Sequence, residues 1–248
     1  VYGSIYKLRR MASILDPGLE LDWLREIELD LYDQKRPAPK SDRVIFSDRI
    51  FWAGRKLVQK AEGADRRTAL QRARMALDGL LIAFLAVCPI RLKNLASLHI
   101  GETIEQQGDV WWLMLPASET KSGRPDQRVL PSVLSDVIDI YVDRYLSVFP
   151  PSGSALWPSQ YGGAMSMAGL YALVRKTTER ELGKTLGPHM FRHCVPYTIA
   201  DLDGSRINLA SAVLQHSDPR TTQKHYNRAI GVDASRAFEQ IVLKQYVG

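Results

Sequence analysis

The segment from Arg66 to Val87 constrains the fold more than any other part of the sequence. Its pattern is that of one long α-helix, and it merges into a continuous apolar run from Gly79 to Ile90. Proline cannot donate to the helical hydrogen-bond ladder, so we expect the helix to break at Pro89. The apolar run is far shorter than the roughly 20 residues needed to cross a bilayer. The sequence therefore predicts a long helix within a globular core.

Helical patterns cover most of the remaining chain, with one short β region between them. Strands are predicted at Ile100–Ile104 and Val110–Leu115, around a Gln-Gln-Gly-Asp turn, and at Arg128–Leu130. The predicted fold class is mostly α with a small antiparallel β-sheet (α+β). The other predicted helices span residues 2–15, 21–31, 44–62, 91–98, 131–149, 166–182, a stretch starting near 188, and residues 206–214, 219–226 and 233–246.

A domain boundary is predicted in the Pro-rich, basic stretch from Gln34 to Ser41, which lacks periodicity and is typical of a linker. It divides the chain into residues 1–40 and a larger domain of residues 41–248. The chain begins at Val1 with a helical pattern already under way, so we expect further residues before it in the whole protein.

Charge and cysteine content limit the functional classes. A net charge of +6 and a pI of about 9.3 are compatible with a nucleic-acid partner, whose phosphates attract Lys and Arg. The two cysteines, Cys88 and Cys194, lie in apolar stretches, which favours buried free thiols over a disulfide or a zinc cluster. The sequence shows no signal peptide, and an intracellular, reducing compartment is expected.

Histidines near residue 190 offer a first candidate site. His189 and Arg192 are three residues apart at a predicted helix start and share a face, although a solvated basic face is the ordinary interpretation. His189 and His193 have the four-residue spacing of a zinc motif, but Met190 stands where a metalloprotease needs its glutamate. We therefore expect neither a metal nor another cofactor.

Three further polar residues are ambiguous when each is taken alone. Arg91 follows an apolar run and precedes a short helix, so it lies at the edge of a core, where an unpartnered cation is costly. Lys121 lies in a polar turn, where lysine is commonplace. Tyr226 stands near the end of a predicted short helix and could be an ordinary helix-end tyrosine.

The order and local context of these residues resemble the tyrosine recombinase, or phage integrase, family. Cys88–Leu95 resembles its first arginine motif, Thr120–Gly123 its β-hairpin lysine motif and His189–His193 its H-x-x-R-H box. Leu214–Tyr226 is similar to the box that joins the second histidine to the tyrosine. The resemblance extends from Val44 to the C-terminus. Residues 1–31 resemble the end of the helical core-binding domain that precedes the catalytic domain in this family.

The resemblance implies a metal-independent DNA strand transferase that works through a 3′-phosphotyrosine. Two arginines would clamp the phosphate and stabilise its developing negative charge. A lysine would protonate the leaving 5′-oxygen, one histidine would act as base, and the second histidine would donate to the phosphate. The implied catalytic residues are Arg91, Lys121, His189, Arg192, His216 and Tyr226.

Three positions depart from the family pattern. Asn94 stands where the family has Glu or Asp three residues after the first arginine, so Arg91 lacks that negative charge. Gln215 replaces the glycine that usually precedes the second histidine. Pro196 lies within the helix that follows the H-x-x-R-H box and is expected to kink it.

The resemblance also implies partners. They are double-stranded DNA and further copies of the chain: a homo-tetramer on two duplexes, monomeric when free, in a cytoplasmic, nucleoid-associated bacterial protein. The last predicted helix, Asp233–Tyr246, could pack on its own domain or dock into a neighbouring protomer. Two other functions stay open: relaxation of DNA by a type IB topoisomerase, and a non-catalytic helix-turn-helix regulator.

Overall fold

The chain divides into two compact units, Val1–Asp42 and Arg43–Gly248. A computed structural model describes residues 1–33, 44–120, 123–203, 209, 213–214 and 238–242. These residues form mainly helices and one three-stranded antiparallel sheet, which confirms the predicted fold class. In this described part of the chain, no helix is long and apolar enough to cross a membrane.

The first unit is a pair of helices, α1 (Tyr2–Leu15) and α2 (Asp22–Asp33). Both lie where the helical period predicted them. An ion pair joins them, in which Arg9 Nε donates to Glu28 Oε2 at 2.6 Å. Leu24 of α2 is buried.

The second unit is built on two long helices, α3 (Ser47–Glu62) and α4 (Ala69–Val87). A capping box starts α4: the Thr68 hydroxyl accepts from the Gln71 N–H, and the Gln71 side chain accepts from the Thr68 N–H. The helix ends just before Pro89, as predicted. All residues from 79 to 90 are buried, so the end of α4 lies in the interior rather than on the surface.

The two long helices cross at a pair of glycines. A Cβ added to Gly54 of α3 would lie 2.5 Å from the carbonyl oxygen of Gly79, and one added to Gly79 would lie 2.5 Å from the carbonyl oxygen of Gly54. Real Cβ atoms do not approach other atoms so closely. The absence of a side chain at both positions therefore allows the two backbones to come into direct contact.

Three further helices surround α4: α6 (Ser132–Arg144), α7 (Met167–Leu182) and α8 (Pro188–Asp203). The short helix α5 (Leu92–Ala96) follows α4 directly. The predicted helix to residue 149 ends earlier, because α6 gives way to a 3₁₀ turn at Leu146–Val148. Helix α8 continues through Pro196, which has no N–H to donate to the carbonyl of Arg192 four residues earlier.

The sheet is a meander of β1 (Ile104–Gln107), β2 (Val110–Leu115) and β3 (Asp126–Val129), in the order β1-β2-β3. Along β2, alternate side chains are buried, as expected for a sheet with one face on the core. Trp111 is one of these, and its indole N–H donates to Asp139 of α6 at 2.7 Å. This bond joins the sheet to the helices.

The prediction of the first strand was wrong in its bounds. We expected Ile100–Ile104, but β1 begins at Ile104 and includes both glutamines of the proposed turn. Ile104 pairs with Leu113 and Gln107 with Val110, which leaves Gly108 and Asp109 as a two-residue turn. Gly108 has φ +62°, a conformation that favours glycine in such hairpins. Pairing with β2 thus overrides the low strand propensity of glutamine.

Residues 238–242 near the C-terminus are helical and pack on the second unit. Phe238, Ile241 and Val242 are buried in its core. The Glu239 carboxylate accepts from the Val133 N–H at the start of α6, at 3.3 Å. For these residues the alternative of packing on the same domain is the one observed. The rest of the last predicted helix, and the predicted helices at 206–214 and 219–226 apart from residues 209, 213 and 214, lie outside the described residues.

Candidate active site

Arg91 is the first of the proposed catalytic residues along the chain. It is the N-cap of α5, with extended backbone (φ −70°, ψ 150°), and follows the break that Pro89 makes after α4. The guanidinium is exposed, so it does not carry the desolvation cost that its place next to an apolar run suggested. The residues just before Arg91, from 79 to 90, are buried in the core. They therefore fix the position of its backbone.

Arg192 lies one turn into α8 and is held by two backbone carbonyls. One terminal nitrogen donates to the carbonyl oxygen of Pro89 at 2.7 Å, and the other to that of Leu214 at 2.5 Å. Burial, together with the positive charges of Arg91 and Arg128, lowers the pKa of Arg192 to about 10. Arg192 is therefore partly desolvated and lies near two other cations. Both conditions disfavour its charged form.

His189 lies in the first turn of α8 and is exposed. Its ring packs edge-to-face on His193, with the ring centroids 5.0 Å apart and the planes at 89°. His189 and Arg192 are on one side of the same helix, as their three-residue spacing predicted. The helix start thus presents an imidazole and a guanidinium together.

Asp126 and Arg128 belong to the same site, and the sequence analysis missed both. They are buried neighbours on the inward face of β3, with exposures of 4% and 5%. Arg128 Nε donates to Asp126 Oδ1 at 2.8 Å and its Nη2 to Oδ2 at 2.6 Å, a bidentate ion pair. Its remaining terminal nitrogen donates to the carbonyl oxygen of Val213 at 2.9 Å. Strand alternation was the available signal, since residues 126, 128 and 130 share one face.

A small cavity brings these groups together. It lies where α5, the β2–β3 connection, β3 and α8 meet, and two of the six proposed catalytic residues line it. The described lining residues are Ile90, Arg91, Asn94, Leu115, Thr120, Asp126, Arg128, Arg192 and Leu214. Among them, three carry guanidinium groups and one carries a carboxylate.

Asn94 lines the cavity but does not take the place of an acid. It is buried, and its side-chain nitrogen donates to the carbonyl oxygen of Glu119 at 3.2 Å. Lys93 lies 3.7 Å from the Glu119 carboxylate, and the Thr120 hydroxyl donates to the carbonyl oxygen of Arg124 at 2.5 Å. These contacts anchor the connection just before the predicted catalytic Lys121, which lies outside the described residues, as do His216 and Tyr226.

Both cysteines are buried free thiols, as predicted. Burial raises the pKa of Cys88 to about 12. At neutral pH it is a small apolar side chain rather than a nucleophile.

The comparisons with known proteins agree on one family. The Phage integrase family model matches residues 56–230, more than half of the chain. Tyrosine recombinase XerC of Pseudomonas fluorescens is 27% identical over 148 residues, which cover 59% of this chain and 46% of that protein. A tyrosine recombinase of Synechococcus elongatus is 34% identical over 162 residues, which cover 62% and 48% respectively. The chain thus spans about half the length of the curated relatives that it matches.

A solved structure supports the same fold. The site-specific recombinase XerH, bound to its difH substrate in a pre-cleavage complex, is similar with a TM-score of 0.50 at 17% identity. The similarity covers 85% of this chain and 63% of that one. Together with the extent of the family match, these findings show that the chain belongs to the phage integrase family.

Proposed function

We propose that this chain is the catalytic part of a site-specific recombinase that cleaves and rejoins double-stranded DNA through Tyr226. The observation that carries the proposal is the convergence of Arg91 and Arg192 on one cavity from two different helices. Arg192 is oriented by neutral carbonyls, so its charge is left for an anion. Family membership, the net charge of +6 and the DNA complex of the similar recombinase XerH support DNA as that anion.

The proposed reaction is a transfer of one phosphodiester linkage to the tyrosine. The Tyr226 oxygen forms a bond to phosphorus while the bond from phosphorus to the 5′-oxygen breaks, which leaves a 3′-phosphotyrosine and a free 5′-hydroxyl. His189 accepts the tyrosine proton and Lys121 protonates the 5′-oxygen. Rejoining is the reverse reaction with a different 5′-hydroxyl, so the linkage is conserved and no external energy source is needed.

Fixed cationic side chains are proposed to stabilise the negative charge that develops on the phosphate. Arg91 and Arg192 bind the non-bridging oxygens, and His216 donates a further hydrogen bond to the same phosphate. Guanidinium groups match the geometry of phosphate oxygens and stay charged as the transition state gathers negative charge. This reasoning supports cleavage without a metal ion.

We further propose the assembly and the domain roles that the family resemblance implies. Residues 1–40 form the end of a core-binding domain with its linker, and residues 41–248 form the catalytic domain. Four copies act on two duplexes, as two strand exchanges require, while the free protein is monomeric and acts in the nucleoid. Because residues 238–242 already pack on their own domain, donation of these residues to a neighbour would need them to leave that core.

The test is trapping of a covalent adduct on a nicked suicide substrate. A labelled duplex with a nick close to the cleavage site loses its short 5′-hydroxyl fragment after cleavage, so the adduct cannot rejoin and persists on a denaturing gel. Wild type should form the adduct, and Tyr226→Phe should bind the duplex but form none. The matched control is Tyr197→Phe, which alters an exposed tyrosine of α8 and should behave as wild type. Adduct formation by Tyr226→Phe would refute the assignment.

A further inference from the structure

The ion pair of Asp126 and Arg128 is unusual for an edge strand. Both side chains are buried, and two hydrogen bonds from Arg128 engage both carboxylate oxygens of Asp126. Ion pairs of this kind are weak contributors to stability, because the desolvation of two charges offsets most of their attraction. A buried ion pair on the inward face of β3 therefore calls for an explanation other than stability.

The pair reaches across the fold to a distant segment. Arg128 donates to the carbonyl oxygen of Val213, 85 positions along the chain, and Arg192 donates to the carbonyl oxygen of the next residue, Leu214. Two consecutive carbonyls are thus held by two guanidinium groups, one from β3 and one from α8. With both oxygens fixed, the orientation of two successive peptide planes is fixed as well.

The held segment leads directly to a proposed catalytic residue. His216 follows Leu214 by two positions, and two residues of chain span at most about 7 Å. The two held peptide planes therefore lie within two residues of His216 in the sequence. In addition, Asp126 neutralises Arg128, so this third guanidinium does not compete with Arg91 and Arg192 for a phosphate in the cavity.

We propose that Asp126 and Arg128 form a positioning pair, which holds the Val213 carbonyl so that His216 meets the scissile phosphate. Asp126 also supplies to the cavity the carboxylate that is absent at Asn94. The inference rests on the proposed function, because it assigns a role toward His216. Neither residue touches the phosphate, and the pair acts through the backbone that it orients.

The experiment separates positioning from stability by removing both charges together. In the double variant Asp126→Val with Arg128→Met, no unpaired charge stays buried, and such replacements are often neutral for stability. We expect a melting temperature close to that of wild type, duplex affinity within about threefold, and single-turnover cleavage about 100-fold slower, a typical effect of a small misplacement. Gln127→Val, on the opposite face of β3, is the matched control and should cleave at the wild-type rate.

A double-mutant cycle with His216→Ala tests whether the pair slows cleavage through His216. A merely structural role would slow cleavage equally with or without His216. If the pair acts through His216, adding Asp126→Val with Arg128→Met to His216→Ala should slow cleavage by less than about threefold more. Independent effects that multiply to the full 100-fold would overturn the proposal. So would a folded double-charge variant that cleaves at the wild-type rate.

A second variant covers the case in which the double replacement does not fold. Arg128→Lys keeps the charge beside Asp126 but loses the terminal nitrogen that donates to Val213, so we expect normal binding and cleavage slower by about tenfold. Wild-type cleavage by this variant would overturn the inference. Failure of the proposed function would look different, because wild type itself would then form no covalent adduct.

Discussion

Replacing Gly54 by alanine should destabilise the second unit, because α3 and α4 are in backbone contact there. The added methyl group would lie 2.5 Å from the carbonyl oxygen of Gly79 and 2.8 Å from the backbone nitrogen of Ala83. It would also lie 2.9 Å from the Ala83 Cβ. Each of these atoms belongs to the backbone or is fixed directly to it, so no side chain can rotate away. The helices themselves must separate.

Two terms of opposite sign set the magnitude. Alanine is a better helix former than glycine by about 1 kcal/mol, which favours the variant. Forcing a methyl group into a packed crossing costs about 3 kcal/mol, at the upper end of the usual range because the obstructing atoms are backbone. The net loss of unfolding free energy is therefore about 2 kcal/mol, which for a unit of this size lowers the melting temperature by about 4–8 °C.

Urea unfolding followed by circular dichroism measures this loss, with Gly63→Ala as the control. Gly63 ends α3 with φ −88°, and a Cβ there would meet no atom within 4 Å, so its replacement should be nearly neutral. Gly79→Ala should cost about as much as Gly54→Ala, since its Cβ would lie 2.5 Å from the Gly54 carbonyl oxygen. The double variant Gly54→Ala with Gly79→Ala should lose less unfolding free energy than the two single variants added together. One separation of the helices accommodates both methyl groups. If Gly54→Ala is as stable as Gly63→Ala, the close crossing is wrong.

Two further predictions concern the chemistry at the cavity. Cleavage of a nicked suicide duplex should persist in excess EDTA, because fixed guanidinium groups stabilise the phosphate; loss of cleavage on chelation and its return with Mg²⁺ would contradict this. Lys121→Ala should be rescued on a 5′-bridging phosphorothiolate duplex, whose thiolate leaves without a general acid, whereas Arg192→Ala should not. Equal recovery of both variants in single-turnover assays would remove the general-acid role from Lys121.

The helices could be predicted because their signals are local. Pro89 correctly predicted the end of α4, whereas its start was predicted at Arg66, before the capping box of Thr68 and Gln71 that begins it. The bounds of β1 could not be predicted in the same way. Gln106 and Gln107 have little intrinsic preference for a strand, and they become one because Trp111 and Val110 of β2 pair with them. Whether these two glutamines form a strand therefore depends on the partner strand and not on their own sequence.

The candidate site was predictable only in part, for a related reason. Motifs of a few residues identify Arg91 and Arg192, because each lies in a distinctive local context. Strand alternation places Asp126 and Arg128 on one face, but no local pattern shows that Arg128 also donates to the Val213 carbonyl. A hydrogen bond to a backbone carbonyl 85 residues away cannot be predicted from one sequence, because every residue has such a carbonyl. The replacement of an acid by Asn94 was visible, but the carboxylate of Asp126 across the cavity was not.

Arg128 and Arg192 differ in the charge of their hydrogen-bond acceptors. A carboxylate partner orients a guanidinium but cancels its charge, whereas a carbonyl orients it and leaves the charge available. Arg128 has the carboxylate of Asp126, and its donor to Val213 serves the backbone. Arg192 has carbonyls alone among its described hydrogen-bond partners, and burial first, then the charges of Arg91 and Arg128, lower its pKa to about 10. Under the proposed function, an incoming DNA phosphate supplies the negative charge that the carbonyls do not.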